Sequence, residues 1–317
     1  MKNFVLTFMA VAFASTILAQ ADVTSAYNAN KSGDFVKAAE YIEKALTNSK
    51  AVAKEKTWRY RGTIYLNIAQ SEELKGLYPD ALTTSFESLK KALEIKPTGG
   101  YSEECKVMMN LVKVEANNAG FTMFTDENFL NAAAKYSLSN DIRAYIEGIA
   151  DTVAIWSAAL CFERAGDWEK AVKGYRTCAD MGFKEPKALL SIANLQEVNE
   201  DADAALETLE IALAKFPSDQ NLLIQQLNIY LRSGRFEEAE SNLKKAAENE
   251  PDNEKLWYSL GFVYDNLSRI DEAEAAYKAA LERNPDYFDA NFNIGALYFN
   301  KAVAMNKNAN LIPQNQH

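Results

Sequence analysis

The sequence predicts an all-α protein built as a solenoid of antiparallel helix pairs. Turn-forming residues are scarce, since only 13 glycines and 7 prolines occur among 317 residues, against usual fractions of about 7% and about 5%. Alanine, the strongest helix former, occurs 48 times. Three of the prolines, Pro217, Pro251 and Pro285, are spaced by 34 residues, and a fixed period of this length is typical of helical repeats.

Four consecutive blocks, which begin at residues 152, 186, 220 and 254, carry apolar or small residues in the same columns. The last block shows the pattern most fully, with Trp257, Leu260, Gly261, Tyr264, Ala273, Tyr277, Ala280 and Pro285. Spacings of three and four place such residues on one face of a helix. A proline then ends the second helix, because the residue before it is pushed out of the helical region. Each block is therefore predicted to be a helix pair that buries its apolar faces against its neighbours.

This pattern resembles the tetratricopeptide repeat (TPR) family, whose signature is W-x2-L-G-x2-Y, then A-x3-F-x2-A and a late proline. Block 254–287 matches every position, with Tyr277 in place of the phenylalanine. The resemblance implies a right-handed superhelix. It also implies a concave surface lined mainly by the first helix of each pair.

The first 21 residues have the features of a cleaved signal peptide. Lys2 supplies a positive charge, an apolar run of 15 residues extends from Phe4 to Leu18, and a small-x-small sequence ends at Ala21. An uncleaved anchor is the alternative, but a spanning helix needs about 20 apolar residues. No cysteine directly follows the run, so no lipid anchor is expected. We expect an exported mature protein, periplasmic or secreted, without a membrane span.

The rest of the chain divides into three predicted parts. Residues 22–150 are expected to form degenerate TPR-like helical repeats with an insertion near 69–84. Residues 151–305 are expected to form the regular TPR array, and residues 306–317 a polar C-terminal tail. At the end of the array, either Lys301 to Ala304 prolongs the last helix as a simple cap, or the chain is shorter than its relatives.

The composition excludes most catalytic chemistry. The single histidine is His317, so His-based nucleophilic catalysis and His-ligated zinc lack their central group. No glycine-rich phosphate loop or nucleophile-elbow motif occurs, and acidic clusters such as Glu200–Asp203 are expected to cap helices. We expect no enzyme, no cofactor and no metal site. A carboxylate pair that cleaves glycosides is the remote alternative.

The net charge argues against nucleic acid as a partner, and the cysteine content bears on core packing and disulfide formation. The formal net charge is −10, and without a basic run this disfavours nucleic acid. The three cysteines are Cys105, Cys161 and Cys178. Cys178 falls in a small-residue column and is expected to be a buried filler. A Cys161–Cys178 disulfide stays open, because sequence does not give their separation.

The resemblance also indicates which residues line the concave surface. Position five of the first helices holds Trp156, Leu190, Ile224, Tyr258 and Phe292, and position nine holds Leu160, Asn194, Asn228, Phe262 and Ala296. A row of apolar side chains beside two asparagines suits an extended or helical peptide, because the asparagine amides can form hydrogen bonds with the peptide backbone. The alternative is that position five only packs between neighbouring helices. Some relatives bind chaperone tails with lysine at position five, and its absence here argues against that ligand.

We therefore expect a non-catalytic scaffold or adaptor of the cell envelope that binds a partner protein or peptide in the concave groove. The alternative is a structural envelope protein that forms homo-oligomers by stacking through its uncapped C-terminal repeat. The apolar residues that motivate this alternative are Phe288, Phe292, Ile294 and Phe299.

Overall fold

The computed structural model describes residues 21–309, and within that range it is helical with short connections and no strand. The first helix, α1, covers residues 21–31 of this range. The next eight are α2 Phe35–Ala45, α3 Ser49–Val52, α4 Glu55–Gln70, α5 Ala81–Ile95, α6 Gly100–Thr125, α7 Phe129–Glu147, α8 Thr152–Arg164 and α9 Trp168–Asp180. The others are α10 Glu185–Val198, α11 Ala202–Lys215, α12 Gln220–Ser233, α13 Phe236–Asn249, α14 Glu254–Asn266, α15 Ile270–Arg283 and α16 Phe288–Ala309. The predicted all-α fold is confirmed; the predicted signal sequence, except for residue 21, and residues 310–317 lie outside the described range.

The described residues divide into two compact units, which lie within residues 1–177 and residues 178–317. Their border lies within α9, whereas the sequence places the start of the regular array at residue 151. In the first unit α4 packs on α5, and α6 packs on α7. In the second unit α10 packs on α11, and α14 lies between α13 and α15. Each unit is thus a series of packed helix pairs.

Small residues set the distance between the helices of a pair. A β-carbon built on Gly62 would lie 2.6 Å from Cγ of Leu89, and one on Gly261 would lie 2.5 Å from Cδ1 of Tyr277. Real β-carbons do not approach other atoms so closely, because non-bonded carbon atoms repel one another well below their optimal separation of about 3.5–4.0 Å. Tyr277 is fully buried as a result. Glycine at positions 62 and 261 is therefore required by close helix contact.

Two local devices fix where the helices begin and turn. The side chains of Asp151, Asp219 and Asn253 accept hydrogen bonds from backbone N–H groups in the first turns of α8, α12 and α14, and such caps stabilise by about 1 kcal/mol each. In each of the four pairs from α8 to α15, one residue between the two helices has a positive φ. This column contains Gly166 at 77°, Glu200 at 62°, Gly234 at 69° and Ser268 at 57°.

The connection between α4 and α5 spans residues 71–80 and falls inside the range 69–84 where the sequence predicts an insertion. Its end is held by Lys135 of α7, whose Nζ donates a hydrogen bond to the carbonyl oxygen of Pro79 at 2.9 Å. Lys135 is buried, and burial lowers the pKa of its ammonium group. The inserted connection is thereby tied to a later repeat of the same unit.

Helix α16 continues for 22 residues, from Phe288 to Ala309. The first helices of the preceding blocks end after 13 or 14 residues. Of the two alternatives for Lys301 to Ala304, the structure therefore shows these residues prolonging the last helix. Among residues 21–309, no helix has the length and apolar character that crossing a membrane requires.

Candidate functional site

Seven of the predicted groove residues lie on the first helices of the unit 178–317, and we call them the groove stripe. Helices α10, α12, α14 and α16 carry it, with Leu190, Asn194, Ile224, Asn228, Tyr258, Phe262 and Phe292. Four members, Asn194, Ile224, Asn228 and Phe292, are exposed. Leu190, Tyr258 and Phe262 are half-buried. The stripe is thus part contact surface and part packing.

Tyr258 shows how a groove residue becomes part of the packing. Its ring lies 5.2 Å from the ring of Tyr287 and 5.9 Å from that of Tyr277, measured between centroids. Asn293 Nδ2 donates to the Tyr258 hydroxyl at 3.2 Å. Burial raises the pKa of Tyr258. Tyr258 is therefore packed against neighbouring rings and is only partly exposed to solvent.

Ile224 and Phe292 are the open apolar members of the stripe. Ile224 is 48% exposed and Phe292 is 66% exposed. The Phe292 ring stacks on Phe288, with 6.4 Å between centroids, so two phenylalanines form one apolar surface on α16. Such exposed aromatic surface is the kind of anchor that protein interfaces use.

Asn194 and Asn228 supply polar groups between the apolar members. Both side chains are exposed, and within residues 21–305 neither side-chain amide makes a hydrogen bond. Each amide offers two donors and one acceptor oxygen. They are therefore ready to bond the backbone of a bound peptide.

Two charged side chains near the stripe, Glu197 and Arg232, are paired with each other. Glu197 accepts a hydrogen bond from Gln225 Nε2 at 2.6 Å and pairs with Arg232. The guanidinium of Arg232, on α12, thus reaches the carboxylate of Glu197 on the neighbouring first helix, α10. Because Glu197 neutralises the charge of Arg232, the guanidinium of Arg232 gives little reason to expect an acidic ligand.

Two predicted groove residues, Trp156 and Leu160, lie on α8 in the other compact unit. Trp156 is only 9% exposed, and its ring meets that of Tyr175 edge-on at 4.9 Å. Leu160 is half-buried. The packing interpretation of position five therefore applies to Trp156, which supports the fold of its own unit.

An exposed apolar surface on α6 was not expected from the sequence. Val107, Leu111, Val114 and Phe121 are 60%, 46%, 51% and 64% exposed. Their spacings of 4, 3 and 7 place them on one face of the helix. This helix lacks the repeat signature and therefore belongs to the part of the chain predicted to be a degenerate repeat. The same spacing, read alone, would have indicated a second apolar face.

The described residues offer no centre for metal chemistry or thiol reactivity. Within them, no group of three or more His, Cys, Asp or Glu side chains is placed to hold a metal ion. The thiol of Cys161 is free and fully buried. Burial raises the pKa of both Cys105 and Cys161 to about 11. These thiols stay protonated near pH 7 and are poor nucleophiles.

Family models identify the repeats. A tetratricopeptide repeat model matches residues 198–261 and 230–293, and a second model of the same repeat matches residues 154–180. The chain therefore contains tetratricopeptide repeats within residues 154–180 and 198–293. Its TPR segments coincide with blocks predicted from the 34-residue period, and they include α12 and α14 of the groove stripe. TPR domains bind proteins, so the chain belongs to a class of protein-interaction scaffolds.

Several solved TPR structures are similar to this TPR protein. YrrB, described as a TPR protein with an unusual peptide-binding site, is 16% identical, with 66% of this chain and 98% of that chain covered and a TM-score of 0.36. TTC0263 from Thermus thermophilus is 19% identical, with 59% and 99% covered and a TM-score of 0.35. The TPR domain of P58(IPK) is 14% identical, with 88% and 97% covered and a TM-score of 0.34. No curated protein sequence matches the chain.

Proposed function

We propose that this TPR protein is an exported, non-catalytic scaffold that binds a peptide segment of a partner protein along the groove stripe. The observation that carries the proposal is the pairing of exposed apolar side chains, Ile224 and Phe292, with the unoccupied amides of Asn194 and Asn228. Apolar side chains anchor a peptide, and amides bond its backbone. TPR proteins generally work in this way, without catalysis.

The experiment is capture of partners from envelope extract by the mature chain, followed by competition among variants. Ile224→Ala and Phe292→Ala together should weaken retention of the captured partner at least about tenfold, because each removes a bulky exposed anchor. Ile211→Ala is the matched control, since Ile211 is 52% exposed but lies on the second helix α11. Equal retention by the groove variant and by the control would rule out the groove stripe as the binding surface.

Export is tested separately from binding. The proposal places a cleavage site after Ala19 or after Ala21. N-terminal sequencing of the protein from its native source should begin at Gln20 or Asp22. A chain that retains Met1 would exclude the cleaved signal peptide and leave the binding function to stand on the groove stripe.

Self-association through α16 is the second candidate function. A β-carbon on Gly295 would meet no atom within 4 Å, whereas the equivalent Gly261 is covered by Tyr277. Within the described range, the face of α16 that corresponds to a second-helix contact is therefore open. Light scattering at micromolar concentration should show a dimer that Gly295→Arg dissociates. A strict monomer would exclude this function without affecting the groove proposal.

A further inference from the structure

The second compact unit contains a cleft on α13, α14 and α15. Its volume is about 530 Å³, within the range of about 300–1,000 Å³ that is usual for ligand pockets. The wall is mostly apolar and is built from Ala247, Pro251, Trp257, Leu260, Tyr264, Ala275 and Ala276, with Lys244, Glu248 and Glu272 at the rim. None of these residues belongs to the groove stripe.

The cleft exists because alanine replaces bulkier residues in three repeat columns. One repeat earlier, the residues equivalent to Ala247, Ala275 and Ala276 are Leu213, Ser241 and Asn242. There the Asn242 amide donates to Tyr230 Oη at 2.5 Å and to Glu210 at 3.0 Å. Side chains thus fill the earlier position, whereas alanine leaves the later one open.

The cleft and the groove stripe use different sides of α14. Leu260 and Tyr264 follow Tyr258 and Phe262 by two positions each, and two positions turn an α-helix by about 200°. A ligand in the cleft therefore faces away from the groove stripe. Two partners can occupy this unit together.

Charge decides which ligand suits the cleft. Residues 178–317 contain 23 Asp and Glu against 13 Lys and Arg, whereas residues 1–177 contain 21 of each. The entire net charge of −10 thus belongs to the unit that carries the cleft. An acidic surface attracts cationic ligands and repels anionic ones.

At the rim of the cleft, basic side chains neutralise the nearby carboxylates, except for the carboxylate of Glu248. Lys244 pairs with Glu240 at 2.6 Å, Glu240 also pairs with Arg269 at 2.5 Å, and Arg269 pairs with Glu272. Glu248 is exposed, and no Lys or Arg of residues 21–305 lies within ion-pair distance of it. A ligand cation placed here gains a partner that the protein does not supply.

Trp257 forms part of the cleft wall, and its indole ring is held in place by Arg283 and by the Pro251 carbonyl group. The Arg283 guanidinium lies 4.6 Å from the Trp257 ring centroid, and its donors reach the carbonyl oxygens of Pro251 and Ala279. Trp257 Nε1 also donates to the Pro251 carbonyl oxygen, at 2.9 Å. The indole is therefore fixed, and a rigid aromatic wall favours an apolar anchor side chain.

We propose that this cleft docks a basic peptide segment of a second partner protein, with one bulky apolar side chain in the cleft and a flanking Lys or Arg at Glu248. The site makes the protein an adaptor with two independent contact surfaces. It does not depend on the groove stripe being occupied.

Three acetylated and amidated pentapeptides test the proposal on the mature chain: Gly-Lys-Phe-Lys-Gly, its acidic counterpart Gly-Glu-Phe-Glu-Gly, and Gly-Lys-Ala-Lys-Gly, which lacks the anchor. Binding is followed by the indole N–H signal of Trp257 in nitrogen–proton NMR spectra, assigned with Trp257→Phe among the 4 tryptophans. The basic phenylalanine peptide should shift this signal saturably. It should bind about tenfold more tightly than the alanine peptide, because phenylalanine buries more apolar surface.

Two cleft variants and two matched controls locate the site. Ala275→Leu places a larger side chain at an exposed position of the cleft wall and should weaken binding about tenfold. Its control is Ala214→Leu, at an exposed alanine on α11. Glu248→Gln should weaken binding about two- to fivefold, as expected for an exposed ion pair. Its control is Glu282→Gln, which occupies the equivalent position on α15 outside the cleft.

Three results would each overturn the proposal. They are equal or tighter binding of the acidic peptide, equal binding of the alanine peptide, and a Trp257 shift that Ala275→Leu leaves unchanged. Circular dichroism of each variant confirms that the helices are intact. Failure here leaves the groove proposal untouched, since Ile224 and Phe292 lie outside the cleft.

Discussion

The ring of Tyr277 lies so close to the α-carbon of Gly261 that a β-carbon on residue 261 would approach Cδ1 to 2.5 Å. We expect Gly261→Ala to destabilise the protein by about 1–3 kcal/mol, the usual cost of overpacking. Alanine is the better helix former by about 1 kcal/mol, so the loss would run against propensity. Urea unfolding measures the change.

Gly295 is the control for this prediction, because it occupies the same column on α16 with nothing near its α-hydrogens. Gly295→Ala should stabilise by up to about 1 kcal/mol, as helix propensity alone dictates. If both substitutions shift the urea midpoint in the same direction, the close contact of Gly261 does not determine its identity.

The turn column with positive φ predicts stabilising substitutions. Glu200 and Ser268 hold φ values of 62° and 57°, which cost a non-glycine residue about 1 kcal/mol or more. Glu200→Gly and Ser268→Gly should each stabilise by a few tenths to about 1 kcal/mol, after the entropy cost of glycine. Gly234→Ala, at the same column, should destabilise. The thermal midpoints of Glu200→Gly and Ser268→Gly should lie above that of the parent protein, and the midpoint of Gly234→Ala should lie below it.

Alkaline pH should weaken the fold through the buried thiols. Burial raises the pKa of Cys161 to about 11, whereas an unfolded thiol titrates near 8.5. The folded state therefore holds its proton more tightly, so this stabilisation is complete below about pH 8.5 and is lost as pH rises towards 11. Between pH 9 and 10 the unfolding free energy should fall by about 1 kcal/mol per such thiol.

Cys161→Ala isolates the thiol contribution from that of the buried tyrosines. The variant loses some stability at every pH, so the slope is the relevant quantity. Its unfolding free energy should fall less steeply from pH 9 to 10 than that of the parent protein. Parallel slopes would show that the Cys161 thiol does not contribute.

Trp156 and Phe292 share position five but should respond differently to truncation. Trp156→Ala should cost about 3–5 kcal/mol, as for other large buried side chains. Phe292→Ala should change stability by less than about 0.5 kcal/mol, because its ring is 66% exposed. Thermal unfolding distinguishes the two. A large loss in Phe292→Ala would make this residue part of the packing and remove the reason to place it in a binding surface.

The sequence was sufficient to predict the repeated helix pairs, because the columns around Gly261 and Tyr277 follow directly from helix periodicity and close packing. It was not sufficient to rank the groove residues. Tyr258 and Phe292 hold the same column, yet contacts from Tyr287 and Asn293 bury one of them, and such contacts depend on the folded arrangement. The α6 surface was also not predicted, because α6 lacks the repeat signature and its apolar face has no counterpart in the repeat columns.

The cleft on α13, α14 and α15 was not predicted from the sequence, and the reason is a different one. Ala275 and Ala276 look like ordinary helix formers, and the missing volume appears only when they are set beside Ser241 and Asn242 of the preceding repeat. A cavity defined by small residues has no motif of its own. It can be recognised only by comparing repeats column by column.

This origin has an evolutionary consequence. Because every repeat presents the same frame, a site can be closed in one repeat and opened in the next by exchanging two or three side chains, without a new loop or a new fold. Leu213→Ala together with Ser241→Ala and Asn242→Ala would open the earlier position, and the reverse exchange would close the present one. A cleft of this kind can therefore arise at any position along the array, in steps of 34 residues, while the backbone stays the same.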